Sequence, residues 1–114
     1  MYEINIVKKL IVFISIVFSI AYSEIVYRVP IEGVIDLGLP PYVKRVIKEA
    51  EASNIDAIVF EINTFGGRVD AATQIKDAIL SSEVQTIAFI NRRAISAGAL
   101  ISLSCEKVFM TGGG

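Results

Sequence analysis

Apolar residues along this chain change their spacing from segment to segment, and the changes mark its elements. Leu10 to Ile20 is a nearly unbroken apolar run. Ile25-Val26-Tyr27-Arg28-Val29-Pro30-Ile31 alternates and is rich in β-branched residues, which predicts a strand. Pro30 cannot donate to a ladder, so it places that strand at an edge or puts the residue at a strand end. Glu32 to Asp36 continues as an extended segment or turn. Pro40 and Pro41 stand where a helix loses nothing by a missing N–H. Val43, Val46, Ile47 and Ala50 then recur at helical spacing, predicting a helix from about Pro41 to Ala52 whose charged residues face solvent.

Asp56 to Asn63 reads as the next strand. Ile58, Val59, Phe60 and Ile62 form an almost continuous apolar run, which predicts a parallel-sheet strand covered on both faces. A second helix is expected from about Val69 to Ser81, with Ala72, Ile75, Ala78 and Ile79 inward. Thr86 to Ile90 is a buried strand, Ser96 to Ser104 a helix small and apolar enough to be fully buried, and Lys107 to Met110 a last strand. Strict alternation of strand and helix predicts an α/β chain with a parallel sheet and right-handed crossovers.

Composition narrows the chemistry. The 114 residues carry a formal net charge of -1, which leaves no basic footprint for nucleic acid. Histidine is absent, so no Ser-His-Asp triad exists within the chain and the commonest zinc ligand is missing. No metal or cofactor is expected, and neither Gly-x-x-x-x-Gly-Lys-Ser/Thr nor Gly-x-Gly-x-x-Gly occurs. The single cysteine, Cys105, can form no internal disulfide and reads as a small buried hydrophobe.

The first 23 residues read as an export signal or an N-terminal anchor. Lys8 and Lys9 precede the apolar run, and Ala21-Tyr22-Ser23 is a small-x-small cleavage pattern before Glu24. Cleavage there would remove Lys8, Lys9 and Glu3, leaving 9 basic and 11 acidic residues. An exported or membrane-associated protein on the extracytoplasmic side is the expectation.

Two strand-to-helix corners carry the candidate chemistry. One is Thr64-Phe65-Gly66-Gly67, and the other runs from Asn91 to Leu100 around Ser96. A serine at such a corner is exposed above a helix N-terminus, and glycine N–H groups nearby can receive an oxyanion. Ser96 is therefore a candidate nucleophile, with Gly66 and Gly67 as candidate oxyanion-hole residues. Serine is also a favoured N-cap and Gly-Gly a common turn, so a purely structural reading of each stands beside the catalytic one. Without histidine, the base for Ser96 would be a lysine held neutral.

The leader, the Asn-Thr-x-Gly-Gly-x-Val corner at residues 63–69 and the Ala-x-Ser-Ala-Gly-Ala corner at 94–99 resemble the N-terminal half of the protease domain of the NfeD family, membrane-bound serine proteases of the ClpP class. The resemblance covers about residues 24 to 111. It implies a ClpP/crotonase-like fold of repeated ββα units, truncated here after about half the domain, and a homo-oligomer. It also implies a Ser-Lys dyad with its serine at Ser96 and oxyanion glycines at Gly66 and Gly67. The family corner usually carries proline where Phe65 stands. The family's general-base lysine lies some forty residues beyond the serine, where nothing in this chain matches it. Lys107 is the one lysine after Ser96, and its strand-like context argues for an ordinary strand-end charge.

The expectation is a serine endopeptidase acting on polypeptides, present as a fragment that lacks its base and is inactive alone. The alternative is a nonenzymatic module assembling with a stomatin-like membrane partner. A crotonase-like acyl-CoA enzyme ranks last, because Ser96 stands where that family tends to carry glycine and an export leader is out of place for CoA chemistry.

Overall fold

The structure is a computed structural model that describes residues 2–20 and 23–113. Its elements run α1 (Tyr2–Ile20), β1 (Val26–Ile35), α2 (Leu39–Ala52), β2 (Ala57–Gly67), α3 (Val69–Leu80), β3 (Gln85–Ala94), α4 (Ala97–Ser104) and β4 (Lys107–Met110). Helix α1 contains the leader's charged and apolar segments. No helix among the described residues is long and apolar enough to cross a membrane. Ala21 and Tyr22 of the cleavage pattern lie outside the described residues.

The four strands form one parallel sheet in the order β1-β2-β3-β4. Consecutive strands joined by crossovers of one hand put α2, α3 and α4 on the same side. Burial agrees with that rule. Val29 and Ile31, Phe60 and Ile62, and Ala88 and Ile90 point to the helices and are at most 5% exposed. Their intervening neighbours Arg28, Pro30, Val59, Glu61, Ile87 and Phe89 are exposed or half-exposed. The expectation that β2 is covered on both faces therefore fails. The continuous apolar run at 58–60 exists, but Val59 lies on the open face.

The core is closed by Val43, Ile47 and Ala50 of α2, by Ala71, Ala72, Ile75 and Ile79 of α3, and by Ile101 of α4. Burying each of the larger aliphatic side chains contributes about 1.5–3 kcal/mol. Helix α2 begins at Leu39, with Pro40 and Pro41 in its first turn as their missing N–H groups require, and Pro40 itself is buried. Helix α4 departs from expectation because Leu103 is 78% exposed. A helix lying on one face of a two-layer domain buries one side only, here Ala97, Gly98, Ile101, Ser102 and Ser104.

Both irregularities in the sheet fall near the C-terminal ends of the strands. The β1–β2 register shifts between Glu32 and Val34, and the β2–β3 register shifts between Ile62 and Thr64. Such bulges bend a strand and re-aim the chain beyond the bend. Here they turn β2 and β3 toward the two corners.

Candidate active site

Thr64 holds the corners together. Its side chain is 1% exposed. The hydroxyl donates to the Gly33 carbonyl, which lies in the bulge of β1, and accepts from the Gly66 N–H at 2.9 Å. The Thr64 carbonyl accepts from the Ile95 N–H at 3.1 Å, reaching the second corner. The Thr64 methyl fills the space above Gly98, where an added Cβ would come within 2.5 Å of it. One buried threonine thus ties β1, the Gly66-Gly67 turn and the approach to α4. Sequence reading named it only as part of the turn. The available signal was a hydroxyl residue at the inward phase of an apolar strand, immediately before two glycines.

Ser96 stands at the N-cap position of α4 with φ 53° and ψ -113°. Its hydroxyl makes no hydrogen bond among the described residues, so it does not cap the helix. A non-glycine residue at positive φ costs of order 1–3 kcal/mol and persists only where the surroundings impose it. The surroundings are visible. Ile95 N–H is held by Thr64, Gly98 N–H donates to Ile95 O at 3.0 Å, and Ala99 N–H donates to Ser96 O at 3.0 Å. Together they present an exposed, unengaged hydroxyl at the C-terminal end of the sheet.

Gly66 is brought against Ser96. An added Cβ at Gly66 would lie 3.0 Å from the Ser96 Cβ, 3.0 Å from Ile95 O and 3.3 Å from the Ala97 nitrogen. Gly66 also has φ 111°, a conformation that side chains resist. Its N–H is engaged by Thr64, so what it gives this corner is room. Gly67 faces the other way. An added Cβ there would meet the Ile35 backbone at 2.2 Å, and Arg68 N–H donates to Ile35 O at 2.8 Å alongside. The small space at Gly66 is bounded by the Ala97 amide. Ala97 is the first residue of α4, where an N–H has no intrahelical acceptor. A sequence reading that looked for glycine donors passed over it.

The lysine that follows Ser96 in sequence is not beside it. Lys107 opens β4 opposite Ile87, at the far end of the sheet from Ser96. Seven strand residues run from that level to the end of β3 at Ala94, roughly 23 Å. Cys105 is buried, and burial pushes its thiol up to about 12, so it is no nucleophile. No group of three or more acidic, histidine or cysteine residues that could hold a metal occurs among the described residues.

Arg68, Arg92 and Arg93 stand at the Ser96 end of the sheet. Arg68 is paired with Asp70 at 2.8 Å, and the guanidinium hydrogen bond holds the Asp70 carboxyl below its usual range. Arg92 and Arg93 have no carboxylate partner among the described residues. The Arg93 guanidinium instead lies 4.3 Å from the centroid of the Phe65 ring.

The family model for the NfeD1b N-terminal domain matches residues 25–114. Membrane protein NfeD1b of Bacillus subtilis is 37% identical over 94 residues, covering 82% of this chain and 22% of that protein. Membrane-bound protease PH1510 of Pyrococcus horikoshii is 33% identical over 112 residues, covering 96% of this chain and 25% of its own. The chain thus spans about a quarter of the length of these relatives. Among solved structures, the 1510-N membrane protease specific for a stomatin homolog from Pyrococcus horikoshii superposes with TM-score 0.73 at 34% identity, over 81% of this chain and 48% of that one. ClpP1 from Listeria monocytogenes superposes with TM-score 0.66 at 30% identity, over 69% of this chain and 46% of its own. The α/β fold is ClpP-like.

Proposed function

The chain belongs to the NfeD1b N-terminal domain family, and on that premise we propose that it forms the nucleophile-bearing part of a membrane-associated serine endopeptidase. The observation that carries the reading is Ser96 itself. It is an exposed hydroxyl without a hydrogen-bond partner among the described residues, held at positive φ at a strand-to-helix corner and facing the space left by Gly66. Ser96 Oγ attacks the scissile carbonyl carbon, and its proton passes to a base. The carbonyl oxygen, now anionic, is received at the corner by the Ala97 N–H, in the space that Gly66 leaves open. Collapse expels the amine, which takes the proton, and water then releases the acyl group by the reverse steps.

The base is a lysine from a continuation of the chain like that in the longer relatives. Residues 1–114 alone therefore cleave nothing above background. Relatives named as membrane proteins support membrane association, with residues 1–23 as an extracytoplasmic leader or anchor. A polypeptide substrate, with a stomatin-like protein as partner, is supported by the relative named as specific for a stomatin homolog.

The test joins residues 24–114 to the C-terminal half of a related protease domain. Peptide cleavage should appear and fall by several orders of magnitude in Ser96→Ala with folding intact. Ser96-independent cleavage would overturn the assignment. The second reading is a nonenzymatic module that assembles with a stomatin-like partner. That reading gains if the joined protein binds peptide without cleaving it.

A further inference from the structure

Phe65 and Arg93 come from the two strands that lead into the corners, and they meet at the rim of the site. Phe65 precedes Gly66, whose Cα faces Ser96, and Arg93 lies three residues before Ser96. The Phe65 ring is 70% exposed, an unusual position for phenylalanine beside a polar corner. The guanidinium lying over its face, 4.3 Å from the centroid, accounts for part of that. A stacked guanidinium keeps its in-plane N–H donors free, and stacking fixes the plane in which they point. Arg93 makes no hydrogen bond or ion pair with the protein among the described residues. Its neighbour Arg92 is exposed and likewise without a carboxylate. Arg68, at the same end, is neutralised by Asp70. A chain whose formal net charge is -1 thus places two arginines without a carboxylate partner among the described residues three and four positions before its candidate nucleophile.

We propose that Arg93, oriented by the Phe65 ring, is a specificity-determining residue that binds a side-chain carboxylate of the polypeptide substrate, an Asp or Glu close to the bond presented to Ser96. This rests on the proposed peptidase reading and adds the substrate's charge to it. Three residues of chain span at most about 10 Å, so the acidic residue lies within about three positions of the scissile bond in an extended peptide. The planar fork accepts a carboxylate through two parallel N–H···O bonds. Phe65 reduces the freedom the side chain loses on binding, so removing the ring weakens recognition without removing the charge.

The test measures binding, which does not require the missing base. The 114-residue chain is titrated with pairs of fluorescent peptides that differ only in Glu or Gln at one position, scanned along the peptide. At one position within about three of the centre, Glu should bind about three- to ten-fold more tightly than Gln. The preference should shrink as salt rises past physiological strength. It should vanish in Arg93→Gln, reverse in Arg93→Glu, and be partly lost in Phe65→Leu, which keeps every charge. Arg28→Gln, at the other edge of the sheet, should leave it unchanged. Circular dichroism of each variant separates lost recognition from lost fold, and Phe65→Leu serves if the Arg93 variants do not fold. Equal binding of Glu and Gln peptides at every position overturns the carboxylate site while leaving a peptide-binding corner standing. A preference that persists in Arg93→Gln overturns it in favour of general attraction to the arginines at this end. Binding of neither peptide removes the site and also counts against the peptidase reading.

Discussion

The two ends of the parallel sheet are built differently although the same strands reach both. At the N-terminal end, connections are ordinary. Helix α2 closes through Asn54 at φ 51°, a residue that tolerates the left-handed region. Helix α3 ends at Leu80, and Glu106 N–H is received by the Thr86 carbonyl and hydroxyl. At the C-terminal end, both register shifts, the positive φ values of Gly33, Gly66, Arg92 and Ser96, and the close approach of Gly67 to β1 fall within a few residues of one another. The non-glycine residues at positive φ at this end, Arg92 and Ser96, lie on the segment that carries the candidate site.

The largest break in that contrast should come at Gly67. A Cβ there meets the Ile35 carbonyl and amide rather than a side chain that could swing away. Gly67→Val should cost at least about 3 kcal/mol, a large share of a small domain's total stability. Urea unfolding should show a much lower midpoint or no folded baseline. A midpoint near that of the parent chain would mean that β1 does not pack against this turn.

Thr64 comes next. Thr64→Val keeps the shape and the methyl over Gly98 but leaves the buried Gly66 N–H without its partner and frees the Gly33 carbonyl. The cost should be about 1–3 kcal/mol, and amide exchange at Gly66 and Ile95 should quicken. If the loss is spread evenly over the sheet, with both amides still protected, Thr64 is an ordinary core residue.

The same contrast explains what was legible in advance. Element order and the inward faces of α2 and α3 follow from side-chain spacing, because helix and strand periods are local. Ser96, Gly66 and Gly67 were nameable as candidates because the two corners together form part of a family pattern, although serine and Gly-Gly each also occur at such turns for structural reasons. The open face was not legible. Val59 is as apolar as Ile58, and only the strand order decides that one of them lacks a covering layer. Thr64 was passed over because its value lies in bonds to Gly33 and Ile95, each some 31 residues away in sequence. Arg93 over Phe65 was equally hidden, since nothing local pairs those two positions.

Ser96→Gly sharpens the comparison in the opposite direction. Glycine accepts φ 53° and ψ -113° without a Cβ clash, so the replacement should raise stability by about 0.5–1 kcal/mol even after glycine's greater unfolded-state entropy. Asn54→Gly at the other end should change stability by no more than a few tenths, because asparagine already suits its conformation. Chemical denaturation of the two variants side by side measures the difference. An equal response at both ends would remove strain as a mark of the site.

The smallest effect belongs to the open face between the ends. Glu61 of β2 accepts from Arg28 of β1 and from Asn91 of β3, at 3.1 Å for the latter. The Arg28 hydrogen bond, then the Asn91 hydrogen bond, hold the Glu61 carboxyl below the usual carboxylate range. A carboxylate whose pKa is lower folded than unfolded stabilises the fold above its unfolded value, and that contribution is lost as pH falls through the folded value. Arg28→Gln should therefore lower the melting temperature slightly at pH 7, and the gap from the parent chain should close in acid, below the range where Glu61 takes up its proton. The effect is small because the Arg28 side chain is 70% exposed and solvent screens the pair. Raising the salt should shrink it further, whereas the Gly67 and Thr64 costs, which are steric and from buried hydrogen bonds, should stay as they are. A gap that is pH-independent would assign the loss to the packing of the Arg28 stem over the open face instead of to the ion pair.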